Sequence, residues 1–162
     1  MTPEIVERVE QPYVSVRGMV TMRTFPEIAD RLPEVFGWLA ERGVAPVDAP
    51  FFKYNLIDMD SRLEVEAGVP VDAVLSGDDT VTAGVLPAGR YVTVTHVGHP
   101  DELIDVTAQL LVWAAAQGLS WDMTATDGGE RWGCRLEQLL TNPSVQPDMS
   151  KWETRLQFRL AN

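Results

Sequence analysis

The sequence predicts an α+β fold, a tandem pair of strand–helix–strand–strand modules related by a pseudo-two-fold axis. Three observations predict it. Strand-like alternation and helix-like spacing of apolar residues both occur, in the same order in each half. Tyr13-Val14-Ser15-Val16 matches Tyr91-Val92-Thr93-Val94 at an offset of 78, while Trp38 and Gly43 match Trp113 and Gly118 at an offset of 75. The polar stretch Ser76-Gly77-Asp78-Asp79 reads as a linker near the middle of the chain. A length of 162 residues suits a single domain, with module one over about 10–75 and module two over about 80–162.

In the first module, Pro12 opens a strand over residues 13–22, where Val14 and Val16 suit an extended chain. Thr24-Phe25-Pro26-Glu27 has the capping-box pattern, a threonine followed three residues later by glutamate, and starts a helix. Ile28, Leu32, Val35, Phe36 and Leu39 keep helical spacing, and Gly43 ends the helix. Pro33 lies inside that stretch, so the helix kinks there or begins near it. Residues 51–57 and 63–71 read as strands closed by the polar turn Asp58-Met59-Asp60-Ser61.

In the second module, residues 80–85 and 90–97 read as strands joined through Leu86-Pro87-Ala88-Gly89. Pro100 opens a helix through Gln117, with Leu103, Val106, Leu110, Trp113 and Ala114 on its buried side, and Gly118 ends it. Residues 132–140 are strand-like. So are residues 151–160, where Trp152, Thr154, Leu156, Phe158 and Leu160 alternate with polar residues. Neither half alone buries both faces of its sheet and helix, so the halves join edge to edge or face to face. That join creates a cleft near the axis, and clefts between modules are preferred ligand sites.

The formal charge is −11, from 13 Lys and Arg against 24 Asp and Glu. Such a field repels duplex DNA unless a basic patch opposes it, and the basic residues here are scattered singly. No nucleic-acid partner is expected, although the same field concentrates cationic small molecules. No membrane partner is expected either, because no apolar run approaches the roughly 18–20 residues of a span. One cysteine, Cys134, allows no intramolecular disulfide, and no basic-then-apolar leader is seen, so the expected location is cytoplasmic. His96 and His99 lack a third ligand of the usual type, and His96 reads as a hydrogen-bonded turn residue. Phosphate-binding glycine loops and the GxSxG elbow do not occur, and no metal or cofactor is expected.

Aromatic residues carry the stronger signal. Trp38 and Trp113 occupy matching helix positions, Tyr54 and Tyr91 lie on strands, and Trp132 and Trp152 lie near or on strands of the second half. Rings that line a cleft stack on flat ligands and attract cations through their π faces. Ordinary core packing is the competing reading for each ring. Among charges, Glu137 stands out in the largely apolar Cys134-Arg135-Leu136-Glu137-Gln138-Leu139-Leu140. At an offset of 83 it matches Tyr54, so the duplication brings Tyr54 and Glu137 towards one cleft. An ionised carboxylate among aromatic rings neutralises a lipophilic cation; one whose pKa is raised by desolvation serves as a general acid or base. The alternative is an exposed strand glutamate paired with Arg135 or Arg155.

The chain resembles the GyrI-like small-molecule-binding domain, also found as the effector-binding half of multidrug-responsive transcription activators. The resemblance runs over roughly residues 13–160. It is carried by Pro12-Tyr13-Val14-Ser15-Val16, Trp38-Leu39-Ala40-Glu41-Arg42-Gly43 and Leu63-Glu64-Val65-Glu66-Ala67-Gly68-Val69-Pro70-Val71. In the second half it is carried by Leu86-Pro87-Ala88-Gly89-Arg90-Tyr91, His96-Val97-Gly98, Leu136-Glu137-Gln138-Leu139-Leu140-Thr141-Asn142-Pro143 and the strand from Trp152.

The resemblance implies an antiparallel sheet with helices on one side and a central cleft that binds lipophilic, aromatic and often cationic compounds. It implies that Glu137, on the strand before the Asn-Pro turn, recognises charge, with Tyr54 on the facing strand. Trp38, Trp113, Tyr91 and Trp132 are the further expected ligand-binding residues. Members often carry an aromatic residue two places after the glutamate, where this chain has Leu139. Some stand-alone members are cyclopropanoid hydrolases that open a strained ring in DNA-alkylating compounds, and there Glu137 and Tyr54 would be catalytic. A protein-interaction module of the gyrase-inhibitor type is a third reading. The related activators carry a helix-turn-helix module ahead of this domain. Here the first module begins by about residue 13, so a direct DNA-regulating role is not expected.

Overall fold

The computed structural model describes residues 1–58 and 61–162. Among them, ten strands form one antiparallel sheet: β1 (Glu4–Arg8), β2 (Gln11–Val20), β3 (Phe51–Asp58), β4 (Arg62–Pro70), β5 (Thr82–Leu86), β6 (Gly89–Val97), β7 (Met123–Thr126), β8 (Gly129–Trp132), β9 (Arg135–Leu139) and β10 (Glu153–Arg159). The helices are α1 (Pro26–Ala29), α2 (Leu32–Glu41) and α3 (Leu103–Ala116). Of the expected hairpin turn, Met59 and Asp60 lie outside the described residues.

The strand order is β1-β6-β10-β9-β3-β4-β2-β5, with the β7–β8 hairpin attached to β3 through β8. This order reads the same from either end. β6-β10-β9 of the second module mirrors β2-β4-β3 of the first, and the modules join edge to edge where β9 pairs with β3. The offset of 83 carries Lys53 onto Leu136, its own cross-strand partner, so the pseudo-two-fold axis passes between these two residues.

The outermost strands are exchanged between modules. β1, which leads into β2, pairs with β6; β5, which leads into β6, pairs with β2. Each link is two residues long, Val9-Glu10 in one case and Pro87-Ala88 in the other. Three peptide steps reach at most about 11 Å. Across a flat sheet, β1 and β2 would stand roughly 29 Å apart at six spacings of about 4.8 Å. The short links therefore require the sheet to curl into a half-barrel.

The curl gives the sheet two unlike faces. The outer face carries Val14, Val16, Val65, Ala67, Val92, Val94, Leu156 and Phe158, packed with Val35 and Leu39 of α2 and Leu103 and Leu110 of α3. The inner face carries Tyr13, Phe51, Leu86, Tyr91, Cys134 and Leu136. Beside that cluster lies a polar network around Glu66, which is 2% exposed. Its carboxylate accepts from Tyr13 (2.9 Å), Ser15 (2.7 Å) and Asn55 (2.7 Å), with Lys53 Nζ at 3.5 Å.

The helix ends follow the duplication closely. Gly43 (φ 66°) and Gly118 (φ 73°) both adopt the left-handed conformation that favours glycine. Val44 N–H returns to Leu39 O and Leu119 N–H to Ala114 O, each at 3.0 Å, closing the same type of cap. Pro33 sits in the first turn of α2, which begins at Leu32 after a break from α1, as its ring requires.

Three expectations need correction, and one strand lies where none was expected. The capping box does not form: the Thr24 hydroxyl accepts from the Thr21 N–H at 2.8 Å, and α1 has no side-chain cap. β1 is a strand that was not anticipated. The strand expected over residues 132–140 is two strands, because the chain breaks at Gly133-Cys134, where Gly133 N–H bonds to Asp122 O at 2.8 Å. Asp78 is a staple rather than part of a loose linker. Its carboxylate accepts from the Thr80 and Val81 N–H groups, from the Trp38 indole at 2.8 Å and from Arg42 at 3.3 Å. These bonds hold its carboxyl down to about 2.

Candidate ligand-binding site

The strands on either side of the axis place the candidate residues. Phe52 pairs directly with Glu137, so the two side chains leave the sheet on the same face. Tyr54 is two residues beyond Phe52, and Arg135 and Leu139 flank Glu137 at the same spacing; strand alternation sends all of them to that face. It is the helix-covered outer face, since Phe52 belongs to its core and Tyr54 and Leu139 pack against it. α1 and α2 lie over β2 and β4 of the first module. α3 joins the same core beside Val92, Val94 and Leu156. The central strands β3 and β9 form the floor between them.

On this floor the Tyr54 hydroxyl donates to Glu137 Oε1 at 2.7 Å. Phe25, just ahead of α1, stacks on Tyr54 at 6.1 Å and meets Phe52 edge-on at 5.1 Å. On the other side Trp132, Trp121 and Phe158 form an aromatic triangle with centroids 5.6–5.7 Å apart. The Arg135 guanidinium lies 4.5 Å from the Phe158 centroid, 4.7 Å from Trp132 and 6.0 Å from Tyr54.

Burial sets the electrostatics. Removal from water pushes the Glu137 carboxyl above its ordinary range, against the opposing pull of the Tyr54 hydrogen bond and Arg135. Burial, together with the adjacent Glu137 charge, pushes the Tyr54 hydroxyl well above its usual value, so it remains a proton donor. Arg135 is held below its ordinary value by burial and stays cationic. Among the described residues Glu137 forms no ion pair within 4.0 Å with Arg135 or Arg155. Tyr54 is its only side-chain hydrogen-bond partner there. The site therefore offers one under-solvated carboxyl, one fixed phenol donor and two groups of ring faces.

Of the residues expected from sequence, Tyr54 and Glu137 meet, and Trp132 joins them through Arg135. Trp38 is turned away to Asp78, with Arg42 stacked 3.7 Å over its ring. Trp113 is half-buried against the outer core. Tyr91 lies on the inner face, where its hydroxyl donates to Pro87 O at 2.6 Å. There it lines a separate cavity of about 110 Å³ with Phe51, Leu136 and Gln138. Pockets for drug-sized molecules run to roughly 300–1,000 Å³, so this cavity is too small for one. The sequence did not single out Phe25, Phe52 or Phe158, nor the placement of Arg135 over the Trp132 and Phe158 rings. The alternation around Glu137 does contain the signal for Arg135, two residues away on the same face.

Comparisons with known proteins bear on the family and the fold. Residues 1–131 match the family model of the GyrI-like small-molecule-binding domain. None of the curated proteins compared matches the chain in sequence. Among solved structures, the chain is similar to the C-terminal domain of EcmrR, with 19–18% identity across two structures. The isolated domain gives a TM-score of 0.73 over 99% of this chain and 98% of that one. In EcmrR bound to DNA the TM-score is 0.79, and the chain spans 57% of that longer protein. SAV2435, solved with tetraphenylphosphonium, gives a TM-score of 0.64 at 9% identity, covering 100% of this chain and 95% of that one. A hydrolase from Listeria innocua gives 0.63 at 16% identity, covering 98% and 91%. At these identities the structures speak for the fold. Together with the family match over most of its length, they place the chain in the GyrI-like small-molecule-binding domain family.

Proposed function

We propose that the chain binds lipophilic aromatic cations in the cleft between its two modules, with Glu137 as the counter-charge. The observation that carries this reading is the half-buried Glu137 carboxyl, held by one tyrosine donor on a floor whose rings include Phe25 stacked on that tyrosine and Trp132 beside Arg135. A carboxylate short of partners gains most from a cation that arrives with its own apolar surface. The net charge of −11 draws such ligands to the surface. The tetraphenylphosphonium bound by SAV2435, a protein of the same fold, is a compound of this class.

Titration with tetraphenylphosphonium, followed by tryptophan fluorescence, tests the proposal. Saturable binding is expected, and Glu137→Gln should weaken it by about tenfold or more, the scale of one charge-assisted contact. The neutral triphenylphosphine oxide should be affected much less. Equal weakening of both compounds would overturn the charge role.

A raised carboxyl pKa next to a phenol donor also favours a second reading, hydrolysis of a strained electrophilic ring with Glu137 as general acid or base. Mass spectrometry of a cyclopropanoid substrate after incubation decides between the two. A hydrolysed product that disappears in Glu137→Gln supports catalysis, and recovery of intact compound supports binding alone.

A further inference from the structure

The cleft already contains a cation. We infer that Arg135 acts as an internal occupant of the aromatic site, so that a cationic ligand binds only by displacing it, and that Arg135 thereby sets an affinity threshold that a cation with large aromatic surface passes more readily than a small one. This inference rests on the proposed cation-binding function.

The geometry is that of a bound ligand. Arg135 leaves β9 on the same face as Glu137, and its guanidinium lies within 4.7 Å of two ring centroids and 6.0 Å of a third. A guanidinium carries five N–H donors and usually meets carboxylates or carbonyls. Among the described residues Arg135 forms no ion pair and no side-chain hydrogen bond; the ring faces of Trp132, Phe158 and Tyr54 are what hold it. A planar cation stacked on rings beside a carboxyl is the arrangement an aromatic cation would adopt there.

Two cations cannot share these rings. At a few ångströms in a poorly solvated site their repulsion is large, so the ligand and Arg135 exclude each other. The side chain is long, and no directional bond fixes it, so it can swing towards solvent. Displacement costs the stacking that Arg135 enjoyed, together with its attraction to Glu137. A small alkylammonium ion brings little surface to offset that loss. A cation with several rings restores the stacking and adds buried area. Arg135 thus raises the threshold for entry rather than closing the site.

The test compares wild type with Arg135→Met, which keeps the length and apolar stem, and Arg135→Lys, which keeps the charge without the planar stack. Each is titrated with tetraphenylphosphonium, tetramethylammonium and triphenylphosphine oxide. Arg135→Met should bind tetraphenylphosphonium about tenfold more tightly, and Arg135→Lys should fall between it and wild type. Tetramethylammonium, which faces the same displacement cost, should gain by a similar factor, and the neutral oxide, which does not repel Arg135, should change less. Unchanged or weaker cation binding in Arg135→Met would overturn the inference while leaving the cation site intact. If neither wild type nor variant binds any of the three, the proposed function falls and the inference with it.

A readout on wild type guards against a variant that fails to fold. The Arg135 side-chain protons lie over aromatic faces and should carry upfield ring-current shifts in the NMR spectrum. Saturating tetraphenylphosphonium should remove those shifts. Their persistence in the saturated complex would show that Arg135 stays in place and would overturn displacement.

Discussion

Glu66 and Glu137 are both drawn away from bulk water, one on each face of the half-barrel, Glu66 fully buried and Glu137 half-buried, yet their pKa values move in opposite directions. Glu66 is met by Tyr13, Ser15 and Asn55, with Lys53 close by. Burial acts to raise its pKa, but these donors and the Lys53 charge outweigh burial and hold it below its ordinary range. Glu137 has one side-chain donor, Tyr54, and burial prevails. The contrast separates a carboxylate whose donors are supplied within the fold from one that, on the proposed function, is left to meet a ligand. What distinguishes them is the number of donors, since the more deeply buried of the two is the one whose pKa is lowered.

The contrast is open to direct attack. The largest effect should come from Glu66→Gln. It removes the charge opposite Lys53 and turns one acceptor into a donor facing other donors, so urea denaturation should show a loss of about 3–5 kcal/mol. Glu137→Gln should behave oppositely. Above its raised folded pKa it removes an under-solvated charge, so stability there should be unchanged or raised, even though cation binding falls. A large destabilisation there would make Glu137 a structural residue like Glu66.

The pH dependence of stability offers a finer test. The stability that Glu66 contributes is present above its unfolded value near 4.5 and is lost as pH falls through its lowered folded value. For Glu137 the sign reverses: its contribution is present below about 4.5 and is lost as pH rises through the raised folded value. Melting temperatures across pH should therefore show a shallower acid limb in Glu66→Gln and a shallower alkaline limb in Glu137→Gln. The smallest effect concerns Asp78, an exposed carboxylate that has several donors but no burial. Its carboxyl ¹³C resonance should titrate with a midpoint of about 2 in wild type, and the Trp38→Phe variant, which removes the indole donor, should raise that midpoint.

Much of this was legible in the chain. Tyr54 and Glu137 could be placed together because a duplication with one offset, read on alternating strands, sends matched residues to one face at the axis. The helix ends were legible because glycine at Gly43 and Gly118 answers a local backbone demand. Glu66 was not legible. In Leu63-Glu64-Val65-Glu66 it looks like the solvent-facing half of an alternating strand, and only the curl of the sheet encloses that face. β1 was hidden because Ile5-Val6 sits between Glu4, Glu7 and Arg8, and its pairing partner β6 lies over 80 residues away. Thr24 matched the capping pattern, but the hydroxyl was taken by Thr21, a competition that spacing alone does not reveal. Tyr91 repeats Tyr13 faithfully, and for that reason it shares the inner face with Tyr13 rather than the cleft with Glu137.

The exchanged edge strands have a consequence for how the chain is assembled and opened. Because β1 is paired to β6 and β5 to β2, each half supplies a strand to the other, as in two clasped hands. Neither half's outer ladder can be completed without its counterpart. The halves also cannot swing apart like a clamshell without tearing both outer ladders. A ligand that binds as proposed would then enter locally, through movement of side chains such as Phe25 and Arg135 above an undivided floor.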